Sequence, residues 1–203
     1  AVEAGKLASM PVMIDFGGSN PELPLDKLLL EKLRPGDILT HAYAHVNGRT
    51  PIVGENGKVR DYVFEAQKRG IVFDVGHGGG SFIFKQAIPA VQQGFKPNVI
   101  STDLHTGSMN GGMKNINNVM SKFLNMGLSI QEVIATTTSK PAQYIQRKDL
   151  GHLSVGAEAD VAILNIRKGD FGFIDTRGKR MKGKQKIECE LTLRAGNVVY
   201  DLN

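Results

Sequence analysis

The chain has 203 residues, 41% of them hydrophobic, with a formal net charge of +5 and a single cysteine. That is enough apolar material to bury the core of one domain with room for an appendage; the lone Cys189 excludes an internal disulfide or a thiolate cluster, so any metal ion would rest on imidazole and carboxylate groups. No apolar run is long enough to cross a bilayer, and the positive charge gathers late, in Arg167-Lys168 and from Arg177 to Lys186, with no Trp and no aromatic interleaving, which argues for a solvated face and against membrane or nucleic-acid partners.

Ala1 to Ser9 has the Ala, Lys, Glu and Leu content of the last turns of a helix, so the chain is expected to begin inside a longer protein. A cytoplasmic location is expected, with the periplasm left open because a leader would lie upstream. From there, short apolar runs alternate with helical patterns, the signature of a parallel sheet with crossover helices. The strands are expected at Pro11 to Phe16, Asp37 to Thr40, Ile71 to Val75 and Asn98 to Thr102. All are short and do not alternate in polarity, as expected when both faces are buried.

Pro24 opens a helical run through Leu33, and Val59 to Arg69 ends at Gly70 in the C-cap position. Phe82 to Gln93, Ile116 to Met126 and Ile130 to Thr138 read as further helices, the last followed by Pro141. From Leu153 onward the pattern turns to strands, at Val161 to Ile166, Phe171 to Asp175, Ile187 to Arg194 and Asn197 to Tyr200, separated by glycine turns. The expectation is an α/β fold: half of a (β/α)8 TIM-like barrel over residues 1–150, then a β-rich flanking segment over residues 151–203. Half a barrel leaves two unpaired parallel edges and an uncovered apolar wall. An amino-terminal half of the same chain is expected to complete it, with a second copy in a homo-oligomer or a separate partner as the alternatives.

One polar residue follows each expected strand, where barrel enzymes place their reacting groups: Asp15, His41, His77 and Asp103. A neutral imidazole and carboxylates on neighbouring strand ends can bind a divalent ion, which makes a bound water acidic enough to react near neutral pH. Asp103 can take the proton of that water and return it to a leaving group. The alternative for an Asp in that place is a helix N-cap.

Of the pair in Thr40-His41-Ala42-Tyr43-Ala44-His45, only His41 sits directly at a strand end. His45 and Tyr43 are expected in a loop near the pocket. Gly76-His77-Gly78-Gly79-Gly80-Ser81 precedes a helix. Its bare amides can cradle a substrate carboxylate or oxyanion, or its glycines can simply serve a tight turn that needs positive φ. His77, Gly78 and Gly79 are therefore expected to meet substrate, His77 by orienting a carbonyl. His105 is placed at the same mouth or in a plain loop.

At these residues the sequence resembles the amidohydrolase superfamily, and more narrowly the amidohydrolase/deacetylase metallohydrolases related to dihydroorotase. The likeness runs from Pro11-Val12-Met13-Ile14 through Gly36-Asp37-Ile38-Leu39-Thr40-His41, Val72-Phe73-Asp74-Val75-Gly76-His77-Gly78 and Ile100-Ser101-Thr102-Asp103. It continues into Thr138-Ser139-Lys140-Pro141-Ala142 and Leu150-Gly151-His152-Leu153-Ser154-Val155-Gly156-Ala157-Glu158-Ala159-Asp160. The resemblance implies strands five to eight of the barrel, followed by part of a small β-sandwich. It also implies one or two zinc-like ions. His41 matches the sixth-strand ligand, Asp103 the eighth-strand Asp, and His77 a seventh-strand residue near substrate. The family's His-x-His pair and carboxylated Lys would lie upstream of Ala1. Where the family has a fifth-strand His, this chain has Asp15, which can still ligate zinc.

The activity this implies is hydrolysis of an amide or ester, including deacetylation, of a small polar substrate by metal-activated water with Asp103 as general base. The non-enzymatic alternative is an incomplete barrel half that serves in binding or assembly. A serine esterase built on His77-Gly78-Gly79-Gly80 lacks the expected G-x-S-x-G elbow.

Overall fold

The structure, a computed structural model, describes residues 1–15, 21–22 and 24–202; of the first expected strand, Phe16 lies outside the described residues. Helix α1 (Val2–Leu7) leads into β1 (Met13–Ile14), and α2 (Leu25–Lys27) runs on as a π-helical turn (Leu28–Lys32) before β2 (Ile38–Leu39). After α3 (Asp61–Arg69) come β3 (Val72–Phe73), α4 (Phe84–Gln92), α5 (Ile116–Met126), α6 (Ile130–Thr137) and α7 (Ser139–Tyr144). The chain ends in β4 (Val161–Ile174), β5 (Arg180–Arg194) and β6 (Asn197–Asp201).

The first three strands form a parallel sheet in the order β1, β2, β3, with Met13 beside Ile38 and Ile38 beside Val72. A parallel bridge from Asp74 to Val99 adds a fourth segment where the fourth strand was expected. At the amino end of β2 the arc is pinned by Asp37, which is buried and accepts from the Arg34 guanidinium and from the Val12 amide. Burial alone would raise the Asp37 carboxyl, but the Arg34 guanidinium and the backbone amides of Val12 and Arg34 outweigh it and hold the group below the usual carboxylate range.

Alternate residues of each strand face opposite ways. Leu39, Phe73, Val75 and Ile100 join the main core under the helices. Ile38, Val72 and Val99 form a separate cluster on the other face, with Tyr144 of α7 against them. Helix boundaries follow local chemistry. Gly70, at φ +102°, closes α3, and a reciprocal capping box between Ser129 and Glu132 opens α6.

The sequence reading placed no helix after Pro141, yet α7 spans it. Pro141 stands in the first helical turn, where a missing N–H leaves no bond unmade. The carboxy-terminal strands also differ from expectation. Val161–Ile174 is one strand with an irregularity between Lys168 and Phe171, and β5 begins at Arg180, inside the basic run. Arg180, Lys182 and Lys184 are exposed while the residues between them are covered to varying degrees, which is how a charged run is accommodated on one face of a strand.

The antiparallel sheet β4-β5-β6 does not stand apart from the arc. Phe173 and Ile187 are buried in the main core, and α5 lies against β5. Asn125 of α5 donates to the carbonyls of Ser121 and Gln185 and accepts from the amides of Lys184 and Gln185. Ser121 accepts from the Ile187 amide. Asn125→Ala strips the Lys184 and Gln185 amides of their partner, so it is expected to lower the unfolding free energy by about 1–3 kcal/mol, measured by chemical denaturation, while Asn125→Asp loses less.

Candidate functional site

The inner face of the arc is a wall of a cavity of about 360 Å³. Its floor carries Ile38, Val99 and Tyr144, above them lie Thr40, Asp74 and Ser101, and at the strand ends stand Asp15, His41 and Asp103. Three of the four residues expected from the strand-end pattern therefore line one space. The parallel register puts Asp15, Thr40 and Asp74 at one level facing one way, since Ile14 pairs with Leu39 and Leu39 with Phe73; His41 lies one residue past that level and enters the cavity from a left-handed backbone, as does Asp103.

His41 and Asp103 both have left-handed backbones, φ +56° and +48°. For residues other than glycine this conformation costs about 1–2 kcal/mol each, and such strain concentrates where side-chain direction serves function. The His41 ring is fixed by Nδ1–H donating to the Gly76 carbonyl at 2.6 Å. Nε2 is left 3.2 Å from Asp15 Oδ1.

A nitrogen lone pair and a carboxylate oxygen so close need a cation between them, a proton or a metal ion. Two ligands on a tetrahedral ion with bonds of about 2.0–2.1 Å stand about 3.3–3.4 Å apart, which the observed spacing nearly matches. His41 and Asp15 thus fit as two members of a divalent-ion site, with Asp103 on the same wall. Among the described residues no three His, Cys, Asp or Glu groups come together closely enough to hold an ion by themselves.

Two glycines make this packing feasible. A Cβ on Gly76 would stand 2.3 Å from Thr40 Oγ1 and 2.7 Å from His41 Nδ1, and one on Gly78 would stand 2.4 Å from Asp103 Oδ2. Both have positive φ, +45° and +50°. The glycine run is therefore a tight turn that lets the His41 and Asp103 side chains approach the backbone.

The amides of Gly76, His77 and Gly78 are spent inside the fold and leave no cradle at that end of the run. Gly76 N–H donates to Ser101 Oγ, and the His77 and Gly78 amides donate to the carbonyls of Ser101 and Thr102. The first turn of α4 is capped by Asp175 Oδ2, which accepts from the Phe84 amide. Gly78 meets Asp103, and Gly79 sits beside an exposed His105, whose Nδ1–H donates to the Asp103 carbonyl. Neither Gly79 nor His105 lines the cavity.

His77 also departs from expectation. It is fully buried, stacked on Phe82 at 4.4 Å, with both ring nitrogens engaged. Nδ1–H donates to the Gly78 carbonyl, and Nε2 accepts from Lys122 Nζ at 2.6 Å. The ring has no edge left for a substrate carbonyl. Tyr43 lies in the turn after β2, as expected, but its side chain is buried in the core among Phe82, Phe95 and Phe123 and does not line the pocket. His45 is exposed, as expected.

Sequence reasoning passed over two buried ionisable groups. Asp74 lines the cavity, and burial raises its carboxyl against the opposing hydrogen bonds from Thr40 and Ser101. Lys122 donates to His77 Nε2 and to the carbonyls of Gly112 and Ile174, each within 2.6–2.7 Å. An ammonium has three N–H donors for those three acceptors. Burial nevertheless pulls Lys122 down to about 7, with Asp175 opposing, and burial together with Lys122 pulls His77 down to about 3.

A scan against known families matches residues 97–200 to the model described as the amidohydrolase family. A protein named deacetylase from Enterococcus faecalis is 32% identical over 200 residues, covering 95% of this chain and 51% of that one. Among solved structures, an adenine deaminase superposes with a TM-score of 0.89 at 29% identity, and a dihydroorotase with 0.84 at 30%. Each of these matches covers 98% of this chain and 53% of the other. The chain spans about half the length of the curated relatives it matches.

Both buried groups give the stability a pH dependence of one sign. Unfolded His77 takes a proton near 6.5 and folded His77 only near 3, so stability falls as pH drops through that window. Unfolded Lys122 keeps its proton to about 10.5 and folded Lys122 only to about 7, so stability rises from pH 7 towards 10. Denaturation midpoints measured from pH 4 to 10 are expected to show both limbs, and Lys122→Met is expected to abolish the alkaline rise.

Proposed function

The chain belongs to the amidohydrolase family, and on that footing we propose that it forms the carboxy-terminal part of a metal-dependent hydrolase cleaving an amide or ester of a small polar substrate, deacetylation included. Residues 1–150 are read as strands five to eight of a (β/α)8 barrel with their helices, and residues 151–203 as part of a flanking sandwich. The amino-terminal half supplies the other barrel strands and the remaining ion ligands. The observation that carries the reading is the meeting of Asp15, His41 and Asp103 on one cavity wall, with His41 Nε2 and Asp15 Oδ1 at a ligand-like spacing.

A divalent ion held there, zinc by the imidazole and carboxylate donors, would supply Lewis acidity and a bound water with a pKa near about 7. His41 offers Nε2 because Nδ1 is committed to the Gly76 carbonyl. Asp15 offers a carboxylate oxygen in place of a second imidazole. Asp103 is the group free to move a proton: it accepts one from the attacking water on a carboxylate oxygen and delivers it to the departing nitrogen or oxygen. The turn at Gly78 sets where that carboxylate stands.

The lack of a closed three-ligand group among the described residues favours a second reading, an incomplete barrel half that acts in assembly. Zinc stoichiometry separates the two. The 203-residue chain alone is expected to hold zinc weakly and lose it to a mild chelator, and addition of the amino-terminal half is expected to give tight stoichiometric binding; no gain on addition would favour the assembly reading. In the intact protein, assayed on N-acetylated and ester substrates, His41→Ala and Asp103→Ala are each expected to cut kcat/KM by about 10²–10⁴-fold. His45→Ala, on an exposed side chain, is expected to keep most activity, and equal losses from all three would overturn the site assignment.

A further inference from the structure

One carboxylate on the inner face has no part in the chemistry above. Asp74 is 3% exposed and lines the same cavity as His41, Asp15 and Asp103. Its Oδ2 accepts from Thr40 Oγ1 at 2.6 Å and from Ser101 Oγ at 2.8 Å, and its Oδ1 has no hydrogen-bond partner among the described residues. A buried carboxylate with half its acceptor capacity unmet is costly. An apolar residue of similar shape would serve the core better, so its retention calls for another reason.

Both hydroxyls lead to one imidazole. Thr40 immediately precedes His41, and its bond to Asp74 anchors the backbone where the chain turns into the left-handed conformation of His41. Ser101 has a single hydroxyl proton, which Asp74 takes, so toward its other neighbour Ser101 Oγ acts as acceptor. That neighbour is Gly76 N–H, at 3.0 Å. The carbonyl of the same glycine accepts from His41 Nδ1–H. Gly76 is thus held at its amide through Ser101 by Asp74, and it holds His41 with its carbonyl.

We infer that Asp74 is a positioning residue for His41: through the hydroxyls of Thr40 and Ser101 it fixes the Gly76 carbonyl against Nδ1 and so aims Nε2 at Asp15 and the cavity. Its bearing on catalysis rests on the proposed role of His41 as an ion ligand; the positioning itself does not. Partners that orient a ligating imidazole from behind typically change metal affinity by about 10–100-fold, which sets the scale of the effect.

The test uses the intact protein and two readouts. In metal-free protein, ¹H–¹⁵N correlation of the imidazoles is expected to show a His41 Nδ1–H protected from exchange. Asp74→Leu, which removes the acceptor, and Ser101→Ala are expected to speed its exchange at least tenfold, and Ser101→Thr, which keeps the hydroxyl, to restore protection. Zinc affinity by chelator competition is expected to fall about 10–100-fold in the first two variants and to recover in the third.

Unchanged Nδ1–H exchange in both Asp74→Leu and Ser101→Ala would overturn the inference. If Asp74→Leu does not fold, Ser101→Ala, which removes one oxygen, decides alone. Absence of zinc binding in the wild-type protein would defeat the hydrolase reading and leave the exchange experiment to judge Asp74.

Discussion

The hub of the structure is the amine of Lys122. From α5 it reaches His77 Nε2, the Gly112 carbonyl and the Ile174 carbonyl, so one atom ties the turn after β3, the loop before α5 and the end of β4. Around it, Asp175 at the end of β4 caps α4, and Thr176 donates twice to the Phe82 carbonyl. Phe82 and Phe84 cover the amine from the side. Burying a lysine without a directly bonded carboxylate is unfavourable in isolation. Here it is offset by hydrogen bonds to three acceptors, one of which, the Gly112 carbonyl, it shares with the Asn118 side-chain amide.

This hub explains how a site on the inner face depends on a sheet outside it. His77 is held by Lys122 on one side and by the Gly78 carbonyl on the other, which sets the path of residues 76–78. That path places Gly76 against His41 and Gly78 against Asp103 with no room for a Cβ at either glycine. His77 matters as a fixed strut beneath the mouth, which is a different role from meeting substrate directly.

The legible part of all this followed from periodicity and punctuation. The strand ends near Asp15, His41 and Asp103 could be read because a buried parallel strand shows as a short apolar run and its carboxyl end as the polar residues that follow it. The bounds of α5 were readable because Asn115 and Gly127 mark them chemically. What could not be read was set by tertiary partners. In sequence, Lys122 is an ordinary helix lysine, and Asp74 is hidden inside an apolar run. His77 follows the same strand-end rule as His41, yet the turn rotates it into the core. Pro141 looked like a stop because its tolerance depends on where the helix begins.

The left-handed backbones at positions 41 and 103 have a further bearing on how the molecule can change. Glycine at either place would relieve the conformational cost, since it adopts positive φ freely. The fold would then be sturdier and the cavity would lose a donor. Thermostability and the proposed chemistry therefore pull in opposite directions at these two residues. A library sorted for heat resistance alone would drift toward a well-folded protein whose mouth has lost the proposed ligand and base.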